Sequence, residues 1–243
     1  MIFRENFTGR GLRYGFNCPD THKYMRPYIT EDEGEEYDIK AEEGYLDRRR
    51  SFFPESGDAS YIEYKSLINL TSLYLLPTGR CMIHAVAFSW RGLAWIISGP
   101  SGAGKTTQYK NWKKTHRKAV EMISGDMPLL EMKDDGILVH PTPWNGKERI
   151  KGKISAPLGG IVLLKQDDSD SIRRMSPEEC AVPLFLQFAA TPETEEQIIG
   201  LSRMADRIVR SYPVFELRNR GDDASAIMTA QAFNNLLIKE EVI

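Results

Sequence analysis

The chain has 243 residues, 41% hydrophobic and 27% charged, the proportions of a folding globular protein with room for one large or two small domains. Its 32 Lys and Arg against 34 Asp and Glu leave a formal charge of −2, which supplies no overall field for a nucleic acid or an anionic membrane. No uncharged apolar run reaches the roughly 18 residues that span a bilayer, the first residues lack a signal-peptide core, and three scattered cysteines, Cys18, Cys81 and Cys180, fit neither a disulfide framework nor a zinc site. A soluble, cytoplasmic protein with free thiols is expected.

Residues 1 to about 60 form an N-terminal extension rich in Gly, Arg, Tyr and acidic side chains, and its run from Glu31 to Glu43 is expected to be a solvated loop or helix face. Residues 61–243 read as the main domain. From Tyr61, the spacing of Tyr61, Tyr64, Ile68 and Leu75 predicts a helix that the "TGR" at Thr78 ends. "CMIHAVAFSWRGLAWIISG" reads as two adjacent strands joined by a tight turn at Arg91-Gly92. A glycine-rich loop follows, then the helix-compatible "TTQYKNWKKTHRK" and the short apolar run "AVEMISGD". "GILVH" and "LGGIVLLK" are further strands, with Asp134 and Asp135 as hairpin-turn residues before the first of them.

The last third reads as helical. "SPEE", Ser176 to Glu179, combines an N-cap serine, a proline in the first turn and a glutamate three residues after the cap. "TPET" at Thr191 is expected to open a second helix, with Ile198, Leu201, Ala205 and Ile208 on one side until "SYP" ends it. A strand "VFELR" and a helix from about Asp223 to Lys239 close the chain. The alternation predicts an α/β fold, a central sheet flanked by helices.

The chemistry concentrates in "WIISGPSGAGKTTQ". Gly99, Pro100, Ser101, Gly102, Ala103, Gly104, Lys105 and Thr106 fit the P-loop pattern G-x-x-x-x-G-K-[ST], after an apolar strand and before a helix, with Thr107 next in the same turn. Such a loop turns its backbone N–H groups inward on phosphate oxygens, adds the positive end of the following helix, and brings Lys105 to the β- and γ-phosphates. Thr106 is positioned for Mg²⁺. The metal site also needs a carboxylate from another strand end, and Asp126 in "MISGD" is the candidate, although read alone it could cap a turn.

These stretches resemble the HPr kinase/phosphorylase family, whose fold core is shared with phosphoenolpyruvate carboxykinase. The likeness rests on "IHAVAFSWRGLAWIISGPSGAGKTT", the Asp in "ISGD", and the order His, P-loop, Asp, with His84 in the matching register. It implies an ATP- and Mg²⁺-dependent kinase with Thr106 and Asp126 at the metal and Lys105, Asp126 and His84 as catalytic residues, the last two deprotonating or orienting a hydroxyl acceptor. That family carries an Asp-Asp pair where this chain has Gly125-Asp126, so neither HPr as acceptor nor the reverse reaction is carried over. "HPTPWNGKERIKGK", His140 to Lys153, resembles a subgroup found near peptide-modification genes, with a Pro-Trp-x-Gly-Lys motif. There Pro143 would stiffen the loop and Trp144 would offer a flat apolar face, while Lys147, Arg149, Lys151 and Lys153 would place positive charge for a phosphate or an acceptor carboxylate. Trp144 and Lys147 are thus the expected substrate-binding residues. The expected acceptor is a serine of a peptide or protein; a small hydroxylated metabolite such as free serine is the alternative, and a nucleotide-binding module without phosphotransfer is the reading from another class. No nucleic-acid or membrane partner is expected.

Overall fold

Short apolar runs that return to one another in pairs build most of this molecule. The structure, a computed structural model, describes residues 2–4, 11–18, 20–21, 37–52, 58–142, 144, 146 and 152–240. Near the N-terminus, β1 (Ile2–Arg4), β2 (Gly11–Tyr14) and β3 (Tyr37–Ile39) form a small sheet, antiparallel then parallel. Helix α1 (Glu43–Arg50) follows.

Helix α2 (Ala59–Leu75) starts where the Asp58 side chain accepts from the Ser60 and Tyr61 N–H groups, an N-cap that satisfies two otherwise unpaired donors. Ile68 and Leu75 are buried as their spacing predicts, whereas Tyr61 and Tyr64 remain half-buried at the margin. The Glu63 carboxylate of this helix accepts from Asn17 N, Cys18 N and Thr21 Oγ1, at 2.6, 2.9 and 2.6 Å, and so latches the segment after β2 onto α2. A buried carboxylate is tolerated there because three donors replace its water.

The main sheet has nine strands among the described residues: β4 (Arg80–Met82), β5 (Ala85–Trp90), β6 (Leu93–Ser98), β7 (Val120–Ser124), β8 (Leu129–Lys133), β9 (Gly136–His140), β10 (Ala156–Gln166), β11 (Ser171–Arg174) and β12 (Val214–Asn219). Their order is β4-β8-β9-β10-β6-β5-β7, with β12 also on β10 and β11 on β12. The β5–β6 hairpin turns on Arg91 and Gly92, both with positive φ (53° and 78°), which suits the twist of a two-residue hairpin. Asp134 and Asp135 are the turn of the β8–β9 hairpin, between the paired Lys133 and Gly136. Strand β10 pairs antiparallel with β9 at its start, shifts register at Leu158/Gly160, and then runs parallel between β6 and β12.

Helices α3 (Lys105–His116), α4 (Pro177–Phe185), α5 (Glu195–Ser211) and α6 (Asp223–Glu240) cover the two faces. On one face Phe88, Trp90, Trp95, Trp112 of α3 and Phe233 of α6 form an aromatic layer, with Trp95 and Phe233 stacked at 3.6 Å between centroids. On the other, Ala87, Ile96, Ile161 and Leu163 meet Leu184 of α4 and Leu201, Met204 and Ile208 of α5. Each fully buried side chain of this size contributes about 1.5–3 kcal/mol relative to exposure. The capping box at Ser176 and Glu179 forms as expected. Helix α5 starts later than expected, after Thr194 rather than Thr191, because Gln197 reaches back to the Thr194 N–H while Thr194 accepts from Gln197. Its buried stripe begins at Leu201, and Ile198, 49% exposed in the first turn, lies outside it. Cys18, Cys81 and Cys180 are free thiols, and no described helix is long and apolar enough to cross a membrane.

Candidate functional site

Strand β6 delivers its chain to the loop under tight constraint: Trp95, Ile96 and Ile97 are buried, and Ser98 closes the strand. The following residues curl into the loop Gly99–Gly104, and α3 begins at Lys105. A Cβ on Gly99 would sit 2.8 Å from the Leu164 carbonyl oxygen, so any side chain there would push the loop off β10. Gly104 holds the N-cap position in a left-handed conformation, and no side chain caps the first turn of α3. Its backbone donors are therefore available to an anion, with the helix dipole behind them. On the far side, Gln166 Nε2 of β10 donates to the Gly102 carbonyl at 3.1 Å.

Lys105 is only 8% exposed, and its ammonium donates to the Gly99 and Pro100 carbonyls at 2.9 and 3.1 Å. Burial pushes its pKa below the usual lysine range, while the Asp126 charge pulls the other way. Among the described residues no carboxylate lies within ion-pair distance of it. Thr106 is half-buried and Thr107 exposed in the first turn of α3; Ala103 packs into the aromatic core, while Pro100, Ser101 and Gly102 line the outer part of the loop, all three exposed.

His84 is set beside this loop by strand register. Ala85 pairs with Ser98, and Ser98 Oγ donates to the His84 carbonyl at 2.8 Å, so His84 lies across from the loop's entrance. The Ala85 N–H donates to the Asp126 carbonyl at 2.8 Å, and the His84 N–H to the Gln187 carbonyl at 2.8 Å. These bonds place the two side chains together, His84 Nε2 at 3.4 Å from Asp126 Oδ1. His84 and Asp126 thus meet from separate elements, and the Asp126 charge also acts on Lys105.

A fourth group, Lys65 on α2, was not legible in the sequence. It is half-buried, its pKa is pushed down by burial, and Asp126 is the principal opposite charge acting on it, with Arg49 adding like charge. Nothing in "IEYKSLI" marks this lysine, because its place depends on where α2 packs. Ser98 and Gln187 were missed for the same reason: they hold the His84 backbone, with Ser98 Oγ also 3.3 Å from Gln187 Oε1.

The segment around Trp144 differs from expectation. Trp144 is 1% exposed and packs edge-on against Tyr14, ring centroids 6.3 Å apart, in a cluster with Leu67, Ile68 and Met127. It therefore presents no face to a substrate; an indole buried between β2, α2 and the Asp126 turn removes more apolar surface from water than one left in the open. Its carbonyl accepts from the Met127 N–H at 3.2 Å, and Thr142 Oγ1 donates to the Met127 carbonyl, so the strand after Asp126 is clamped to this loop. Gly146, with φ of 65°, passes directly over Asp126: a Cβ there would lie 3.0 Å from the Asp126 Cβ. Lys153 is exposed, and Pro143, Lys147, Arg149 and Lys151 lie outside the described residues.

The loop fits a polyphosphate: a buried ammonium bonded to carbonyls of its own loop and an uncapped helix terminus both present donors to an anion. Among the described residues no three His, Cys, Asp or Glu side chains gather as a metal cage. The donors at hand for a cation are the Thr106 hydroxyl and the Asp126 carboxylate, a sparse set that fits Mg²⁺, which commonly completes its shell with phosphate oxygens and water.

No family model and no curated protein matches this chain. Among solved structures it is similar to the HPr(Ser) kinase/phosphatase from Coxiella burnetii, with 9% identity, 65% of this chain and 98% of that chain covered, and a TM-score of 0.38.

Proposed function

We propose that this protein is an ATP-dependent phosphotransferase that moves a γ-phosphoryl group to a hydroxyl, the acceptor being a serine of a peptide or protein. The observation that carries this reading is the pairing of His84 with Asp126 beside a P-loop whose buried lysine has no carboxylate within ion-pair distance among the described residues. The loop N–H groups and Lys105 hold the phosphate chain and fix its terminal group near the pair. The acceptor oxygen bonds to the γ-phosphorus as the bridging P–O bond to ADP breaks, and the hydroxyl proton passes to the His84–Asp126 pair. Mg²⁺, held by Thr106 and Asp126, would offset the charge of the phosphates. Gly146 keeps the space above Asp126 clear of side chains.

A peptide acceptor is supported by Val182 and Leu186, apolar side chains 66% and 70% exposed at the end of α4, next to the Gln187 that holds the His84 backbone. A peptide supplies an apolar neighbour of the serine for this ledge; free serine does not. The test incubates the protein with labelled ATP and, in parallel, a serine-containing peptide library and free hydroxylated metabolites. Label in peptides is the expected result. Label in free serine alone would make it a small-molecule kinase, and ATP binding with neither label nor ADP release would make it a nucleotide-binding module.

A further inference from the structure

Most of the described lysines are exposed to water, where an ammonium needs no protein partner, and several of them have one as well. Lys165 pairs with Glu216, Lys114 with Asp223, and Lys105 with the carbonyls of its loop. Lys65 is different: it is half-buried, and among the described residues its ammonium makes neither a hydrogen bond nor an ion pair, while the Asp126 charge acts on it. Withdrawing an ammonium from water without a partner is unfavourable. An anion brought to the ammonium would offset that cost.

The helix that carries Lys65 is fixed at several points. Asp58 caps the start of α2, Glu63 latches the segment after β2 to the same helix, and Leu67 and Ile68, just beyond Lys65, share a cluster with Met127 and Trp144 on the chain that carries Asp126. Two ammonium groups, Lys105 from the P-loop and Lys65 from α2, therefore act on one carboxylate, and an imidazole stands 3.4 Å from it. One negative charge leaves this cluster short by at least one. A terminal phosphoryl group, spreading negative charge over its outer oxygens, matches that deficit in sign, size and place.

We propose that Lys65 touches the transferred phosphoryl group, holding γ-phosphate oxygens from the side of the N-terminal segment while Lys105 holds the chain from the loop. The inference rests on the phosphotransferase reading and adds a catalytic residue to it. Because ADP lacks the γ-phosphate, the two nucleotides separate Lys65 from the rest of the loop.

Calorimetry of the full chain with Mg²⁺ and either ADP or the non-hydrolysable analogue AMPPNP gives the test. For Lys65→Met, AMPPNP affinity should fall roughly tenfold or more, as expected on losing a charge-assisted bond, with ADP affinity unchanged within about twofold. Lys65→Arg should retain most of the preference for AMPPNP. An unchanged ratio of the two affinities, or an equal loss of both with a lowered melting temperature, would overturn the proposal. If the methionine variant does not fold, Lys65→Gln is read in the same way. Failure of the wild-type chain to bind either nucleotide would instead remove the phosphotransferase reading beneath it.

Discussion

Glu216 on β12 and Asp126 after β7 are both carboxylates surrounded by positive charge, yet their surroundings are built to opposite ends. Around Glu216 the fold supplies Lys165 at 2.5 Å, Arg218 at 3.2 Å and Arg173 at 3.4 Å. The hydrogen bond from Lys165, aided by Arg218, holds its carboxyl at about 2, against an ordinary 4.5. Around Asp126, His84 at 3.4 Å is the nearest ionisable partner among the described residues, and the two ammonium groups that act on it stay beyond ion-pair distance. A carboxylate saturated by its own fold has nothing left to offer a ligand; one ringed by cations that it does not neutralise marks where a ligand's charge belongs.

The sharpest way to disturb the Asp126 side is to remove what clamps it. Trp144→Ala should destabilise the protein by about 3–5 kcal/mol, the usual result of deleting a fully buried aromatic, measured by denaturant unfolding. Native-like stability together with a raised acceptor KM would instead mean that the indole faces the substrate. Next in size, Asp126→Asn should lower turnover about a hundredfold, or about 2.7 kcal/mol, while ATP affinity stays within about tenfold. Equal losses of binding and turnover would reduce Asp126 to a structural residue.

A smaller effect is expected at Gly146, whose missing side chain leaves room for Asp126. Gly146→Ala, at a φ of 65°, should cost about 1 kcal/mol of stability and reduce turnover with little change in nucleotide affinity. Improved or unchanged turnover would show that the loop does not control the carboxylate.

The smallest effect on activity belongs to Glu216→Gln, which should leave turnover within about twofold but change the acid limb of stability. The folded carboxyl titrates near 2 and the unfolded one near 4.5, so its contribution is present above pH 4.5 and disappears as the pH falls toward 2. The variant should therefore be less stable than wild type at neutral pH, with the gap closing below pH 4.5. A constant gap across that range would contradict the saturated-carboxylate account.

The readable parts of this molecule were those in which the chain acts on itself locally. The P-loop, the hairpin at Arg91-Gly92 and the Ser176 capping box each require particular residues a few positions apart, and each is found in place. The hairpin register pairs Ala85 with Ser98 and so leaves His84 one residue beyond, across from the entrance of the loop. Thr194 was missed in favour of Thr191 because the deciding bond comes from Gln197, at the far end of the first turn. Trp144 and Lys65 needed tertiary structure: the partner that packs on Trp144, Tyr14, is in the N-terminal extension, and the helix that carries Lys65 packs through Leu67 and Ile68 on Met127. An apolar face in a local sequence does not declare whether it will meet a substrate or the protein's own core.

The central claim is that the unsaturated side of this comparison is a nucleotide site, and calorimetric titration of Mg·ATP into the wild-type chain and into Lys105→Ala tests it most directly. Wild type should bind, and the variant should lose about a hundredfold or more in affinity, since it lacks the ammonium that now rests on the Gly99 and Pro100 carbonyls. Equal affinities in the two proteins, or no binding by either, would contradict the account.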